Sequence, residues 1–147
     1  MNLLRILPLA CLLATGAVQA QSAGECPLLP GDSNLSWKAM AGDDFVFCKA
    51  LQEDGGEVFA VTIARDSPFE PKRADRAEEA VIDGHAMRWY RGEIASAPQA
   101  QVRETLIELG NGRVAHISLR ANSETELASA LQQAQSLRFH GPQLSSN

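Results

Sequence analysis

The chain has 147 residues, enough for one compact core and too few for two ordinary domains. Thirteen Lys and Arg stand against 18 Asp and Glu, a net charge of −5, and no cluster of basic residues is long enough to track a phosphate backbone, which argues against nucleic acid as a partner.

Residues 1–20, MNLLRILPLACLLATGAVQA, place Arg5 ahead of an apolar run from Ile6 to Ala14 and then lead through small residues to Val18-Gln19-Ala20. This three-part pattern predicts a secretory signal peptide cleaved after Ala20, hence export to the periplasm or extracellular space. The apolar run is far short of the roughly 20 residues a spanning helix needs, so no membrane span is expected in the mature chain. Cleavage removes Arg5 and Cys11, leaving 127 residues, a net charge of −6 and two cysteines, Cys26 and Cys48. In an oxidising compartment two such cysteines pair, and without a Cys-x-x-Cys spacing the bridge reads as structural.

Residues 21–44 are broken by Pro27, Pro30, Gly31 and Gly42 and read as an extended, looping lead-in held down by that disulfide. The segments DFVFCKALQ and EVFAVTIAR then flank EDGG, a first hairpin. A four-residue loop, Glu53 to Gly56, sets Ala50 opposite Phe59, Cys48 opposite Val61 and Val46 opposite Ile63. The other face, with Phe45, Phe47, Leu51, Val58, Ala60 and Thr62, is also apolar and calls for a cover of its own.

Residues 66–78, with two prolines and mixed charge, form the longest irregular stretch. Asp83-Gly84 then predicts a two-residue type I′ turn, because both central positions need positive φ. The resulting second hairpin opposes Ile82 to His85, Ala80 to Met87 and Glu78 to Trp89 on the core side, and Val81 to Ala86, Glu79 to Arg88 and Ala77 to Tyr90 on the other. In the third hairpin, VRETLIELGNGRVAHISLRA, the apolar sets Thr105, Ile107 and Ala115, Ile117 coincide only if Gly110-Asn111-Gly112 is a three-residue loop with Gly112 left-handed. Ser123 and Glu126 form a capping box ahead of Leu127, Ala130, Leu131, Ala134 and Leu137 at helical spacing, and Gly141-Pro142 ends that helix. Residues 141–147 read as a disordered tail.

These elements define an α+β domain over residues 45–140: an antiparallel meander of about six strands, in three hairpins, with one C-terminal amphipathic helix packed on the sheet. The order of elements resembles that of the small PsbP-like proteins, whose strand meander also ends in a C-terminal helix. The resemblance implies a PsbP-like α/β sandwich as the alternative fold and carries no function.

The chemistry is sparse. His85, His116 and His140 show no metal-ligand spacing, and no nucleophile elbow, phosphate loop or dinucleotide fingerprint occurs, so neither metal nor cofactor is expected. Glu104 and Glu108 share a strand face with His116, which supports a hydrolase-like enzyme only as a second alternative. The first alternative is a small-ligand binder with a pocket between helix and sheet. The leading expectation is a non-catalytic protein-binding module, an inhibitor or immunity-type protein, using Glu79, Arg88, Tyr90, His116 and Arg120 on the sheet face the helix leaves to solvent. An Asn34-Leu35-Ser36 sequon is open to glycosylation in a eukaryotic host.

Overall fold

The computed structural model describes residues 26–110 and 112–139. The signal segment, the mature start at Gln21, Asn111, His140, the Gly141-Pro142 stop and the 141–147 tail lie outside the described residues. Seven antiparallel strands form one sheet: β1 (Ser36–Ala41), β2 (Phe45–Leu51), β3 (Glu57–Ala64), β4 (Arg76–Ile82), β5 (His85–Gly92), β6 (Gln101–Glu108) and β7 (Val114–Ala121), in the order β1-β2-β3-β7-β6-β5-β4. A helix, α1 (Glu124–Gln135), follows, and a 3₁₀ turn at Arg73–Asp75 leads into β4.

The seventh strand corrects the expected count of six. It is β1, SWKAMA, within the stretch read as a looping lead-in. Its Ala, Lys and Met residues have weak strand propensity, and pairing overrides that preference. Ala39 pairs with Cys48 and Trp37 with Ala50, while the Trp37 ring meets Phe59 edge-on at 5.7 Å and its Nε1–H donates to the Pro27 carbonyl at 2.7 Å. The Cys26–Cys48 disulfide ties the preceding segment to β2.

Turn chemistry sets the three hairpins as the residues predict. Ala50 faces Phe59, Cys48 faces Val61, and Val46 faces Ile63. Asp83 and Gly84 both have positive φ, 48° and 80°, and Ile82 pairs with His85. Gly112 has φ 74°, and Ile107 faces Ala115 while Thr105 faces Ile117. One register differs. A bulge between Arg76 and Glu79 makes Arg76 the partner of Tyr90, where strict alternation puts Ala77.

The core lies between the sheet and α1. Trp89, Phe59, Ile82, Ile117, Val61 and Cys48 are fully enclosed there, and α1 contributes Leu127, Ala130, Leu131 and Ala134. Ser123 Oγ accepts from the Glu126 N–H at 3.1 Å; Glu126 Oε2 accepts from the Asn122 N–H at 2.7 Å, one residue ahead of the usual capping-box donor. Beyond the helix, Asp83 on the β4–β5 turn accepts from the Phe139 N–H at 2.8 Å and lies 3.7 Å from the Arg138 guanidinium, docking the helix exit onto the second hairpin.

Candidate functional site

Period-two alternation puts Trp89 under the helix and turns Arg88 and Tyr90 to the opposite face. Cross-strand register extends that outer face. Tyr90 lies opposite Glu104, Glu104 opposite Ser118 and Ser118 opposite Ala60, while His116 lies between Leu106 and Thr62 and Arg120 lies beside Val102. All five residues expected at a binding surface, Glu79, Arg88, Tyr90, His116 and Arg120, therefore share one face.

They are not equally available. Arg88 is ion-paired with Glu79, and its guanidinium also donates to the Ala77 carbonyl at 3.2 Å. His116 Nε2 lies 3.1 Å from Glu104 Oε1, with both side chains largely shielded. Gly92 leaves room for that carboxylate, since a Cβ there would sit 2.9 Å from Glu104 Oε2. Arg120 is exposed and, among the described residues, has no hydrogen-bond or ion-pair partner.

The face is also less open than expected, because the β3–β4 connection crosses it. In the sheet order β4 stands four positions from β3, roughly 19 Å at the usual strand spacing. The connection spans that gap over the side away from α1, and Phe69 pins it there. The Phe69 ring stacks on His116 with centroids 5.0 Å apart and an interplanar angle of 9°, and meets Tyr90 at 6.0 Å and 64°. Among the described residues no hydrogen bond or ion pair joins residues 66–72 to the sheet; Phe69 N–H bonds locally to Ser67 Oγ at 3.2 Å. Phe69 was legible only as the one large apolar side chain of that loop, and which surface it would cover depends on the strand order.

Arg103 is a second residue that pairing alone did not reveal. It sits two positions before Thr105, so alternation sends it to the core face, where it is 8% exposed. Its Nε and Nη2 donate to Glu78 Oε2 and Oε1 at 2.8 and 2.9 Å, a bidentate pair. The hydrogen bonds from Arg103, more than its nearby positive charge, hold the Glu78 carboxyl below the usual glutamate range against the opposing effect of partial burial.

A groove of about 840 Å³ lies at the end of the sheet where β3 and β6 begin and β5 and β7 end. It is lined from the outer face by Val58, Val102, Ser118 and Arg120, and otherwise by the β2–β3 turn, the β5–β6 connection at Glu93 and Ile94, and the start of α1. Elsewhere on the face Met40 and Phe45 stay exposed, while Phe47, Leu51, Val58 and Thr62 are half-buried and Ala60 is buried, so the second apolar side of the first hairpin is covered in part.

Among the described residues, catalytic geometry is limited to the His116–Glu104 pair. Among the described residues no hydroxyl or thiol hydrogen-bonds the imidazole, and Glu108 is exposed opposite Val114, without a bond to His116. Among the described residues no three His, Cys, Asp or Glu side chains gather as metal ligands, and no helix is long and apolar enough to cross a membrane. No family model, curated protein or solved structure matches the chain, so the likeness to PsbP-like proteins rests on the order of elements alone.

Proposed function

We propose that the protein is an exported, non-catalytic module that binds another protein through the sheet face turned away from α1. One observation carries this reading: the helix covers one face only, and the opposite face gathers Arg88 and Tyr90 on β5 with His116 and Arg120 on β7, on either side of β6, with Arg120 lacking a partner among the described residues. Tyrosine and arginine combine large contact area with hydrogen bonding and are enriched where binding energy concentrates. A small acidic scaffold with a disulfide suits an inhibitor or immunity-type protein that blocks an enzyme. Export follows from the charge and apolar pattern of residues 1–20, and the Cys26–Cys48 bridge is in keeping with an oxidising compartment.

The test starts in the exporting cell, with a photo-crosslinking residue at Ser118 compared with one at Gln132 on the exposed side of α1. The partner captured from Ser118 is purified and titrated. Replacing Arg88 and Tyr90 together by alanine weakens its binding at least tenfold while the protein stays folded; unchanged affinity refutes the assignment of this face. The groove favours a second reading, a small-ligand binder, since its volume falls in the range of ordinary ligand sites. Native mass spectrometry of the exported protein separates the two: a retained small molecule supports the second reading.

A further inference from the structure

We infer that Tyr90 and His116 form a slot for an aromatic side chain of the partner, and that Phe69 fills this slot from within the chain until the partner's ring displaces it. This rests on the reading that the outer face binds a protein, and it names the side chain that partner presents.

The present occupant comes from the strap that joins β3 to β4. From Arg65 to Arg76 the chain reads RDSPFEPKRADR, in which Phe69 is the only large apolar side chain. Its neighbours Pro68 and Glu70 are exposed, as are Pro71, Lys72 and Arg73, whereas Phe69 is half-buried. The Phe69 ring lies parallel to the His116 imidazole, within 9° and with centroids 5.0 Å apart, and meets the Tyr90 ring at 64° and 6.0 Å. The two walls stand on β7 and β5, and the ring bridges them across β6, where Leu106 pairs with His116 and Glu104 with Tyr90.

This geometry selects a flat ring. Aromatic pairs favour stacked-offset and edge-to-face contacts at such separations, and a single ring makes one of each here. The platform beneath it is oriented, because His116 Nε2 lies 3.1 Å from Glu104 Oε1 and the carboxylate holds the imidazole plane. A branched aliphatic side chain could reach the same walls but would lose both ring contacts.

The sheet recognises the ring and little else of the strap. Among the described residues no hydrogen bond or ion pair joins residues 66–72 to the sheet, and the Phe69 N–H is bonded to Ser67 Oγ at 3.2 Å. A ring offered by another chain therefore makes the same contacts. Ordering the strap costs conformational entropy, which one half-buried anchor offsets only in part. Because the strap stays tethered at Ala64 and Arg76, Phe69 acts as an intramolecular competitor. The affinity of the slot for an outside ring scales with the fraction of molecules whose strap is off, so a strap closed in about nine molecules of ten weakens it about tenfold.

The test uses the exported protein and the peptide acetyl-Ser-Pro-Phe-Glu-Pro-amide, which offers the ring in the strap's own setting and carries no tryptic site. Titration followed by the side-chain NMR signals of His116 and Tyr90 gives the affinity. Phe69→Ala is expected to bind this peptide about tenfold tighter than the unsubstituted protein does. A peptide with leucine in place of its phenylalanine should bind the variant about fivefold more weakly. In the unsubstituted protein, saturating peptide should speed tryptic cleavage after Lys72 and Arg73, since a displaced strap is the better substrate. Phe69 is only half-buried, so circular dichroism should show Phe69→Ala folded; if it is not, Phe69→Leu keeps the bulk without the ring and should still bind the peptide more tightly than the unsubstituted protein. Equal affinity with and without the Phe69 ring, equal binding of the phenylalanine and leucine peptides, or no shift at His116 and Tyr90 at millimolar peptide overturns the inference. So does equally tight binding of a peptide with arginine in place of phenylalanine, which would make the slot a guanidinium site. None of these failures touches the protein-binding face, which keeps its own test in the Arg88 and Tyr90 variant.

Discussion

Replacing Trp89 by alanine is the sharpest test of which face of the second hairpin is core. Trp89 is fully buried, and a tryptophan removes about 150–250 Å² from water, which at about 25 cal/mol per Å² corresponds to about 4–6 kcal/mol as an upper figure. Among the described residues its indole Nε1–H has no hydrogen-bond partner, a defect that costs about 1–3 kcal/mol and disappears with the side chain. The difference, with the cavity left behind, comes to about 3–5 kcal/mol of lost stability, in line with large aromatic truncations. Trp89→Phe keeps most of the ring and removes the orphaned donor, so it should cost no more than about 2 kcal/mol, and it stays measurable if the alanine variant does not fold. The neighbouring Arg88→Ala loses a partly exposed pair with Glu79 and should cost about 1 kcal/mol or less. Urea denaturation followed by far-ultraviolet circular dichroism, with Trp37 as the remaining fluorophore, gives all three values. If Arg88→Ala proves the costlier change, the face assignment is off by one residue and the proposed binding surface goes with it.

Reducing Cys26–Cys48 releases a constraint across 22 positions, worth about 3 kcal/mol in the chain-entropy model, and should lower the melting temperature without abolishing the fold, as calorimetry with and without reductant can check. Because the Arg103 bond depresses the folded Glu78 value, its stabilisation is fully present above the ordinary 4.5 and is lost as pH falls below that toward the folded value. Glu78→Gln should therefore flatten the acid limb of the stability curve below pH 4.5. At neutral pH it should cost about 1–2 kcal/mol, less than for a fully enclosed pair because Glu78 stays 41% exposed; a parallel acid limb in the variant would count against the pair. Ser123→Ala removes the cap on the Glu126 N–H and should lower stability by about 1 kcal/mol in the same denaturation assay, whereas Ser129→Ala on the same helix should not.

By itself the sequence determined what neighbouring residues settle among themselves. Asp83-Gly84 and the Gly110-to-Gly112 loop demand particular backbone angles, and those angles plus alternation dictate which side chains face each other in each hairpin and which face is core. Ser123 and the leucine and alanine spacing likewise determine α1 and its buried stripe, and a cysteine pair leaves one partner for each. The order of the hairpins in the sheet was decided elsewhere, because no local rule says that β7 lies between β3 and β6. That non-local pairing makes β3 and β4 distant, sends residues 65–75 across the outer face and seats Phe69 on His116. It also brings Arg103 to Glu78 across 25 positions and turns a stretch of weak strand formers, Ser36–Ala41, into an edge strand. The proposed binding face follows the same division: the side that Tyr90, His116 and Arg120 occupy is written in their spacing, but only the packed sheet decides that Tyr90 and His116 are partly covered while Arg120 is left without a partner among the described residues in the lining of a groove.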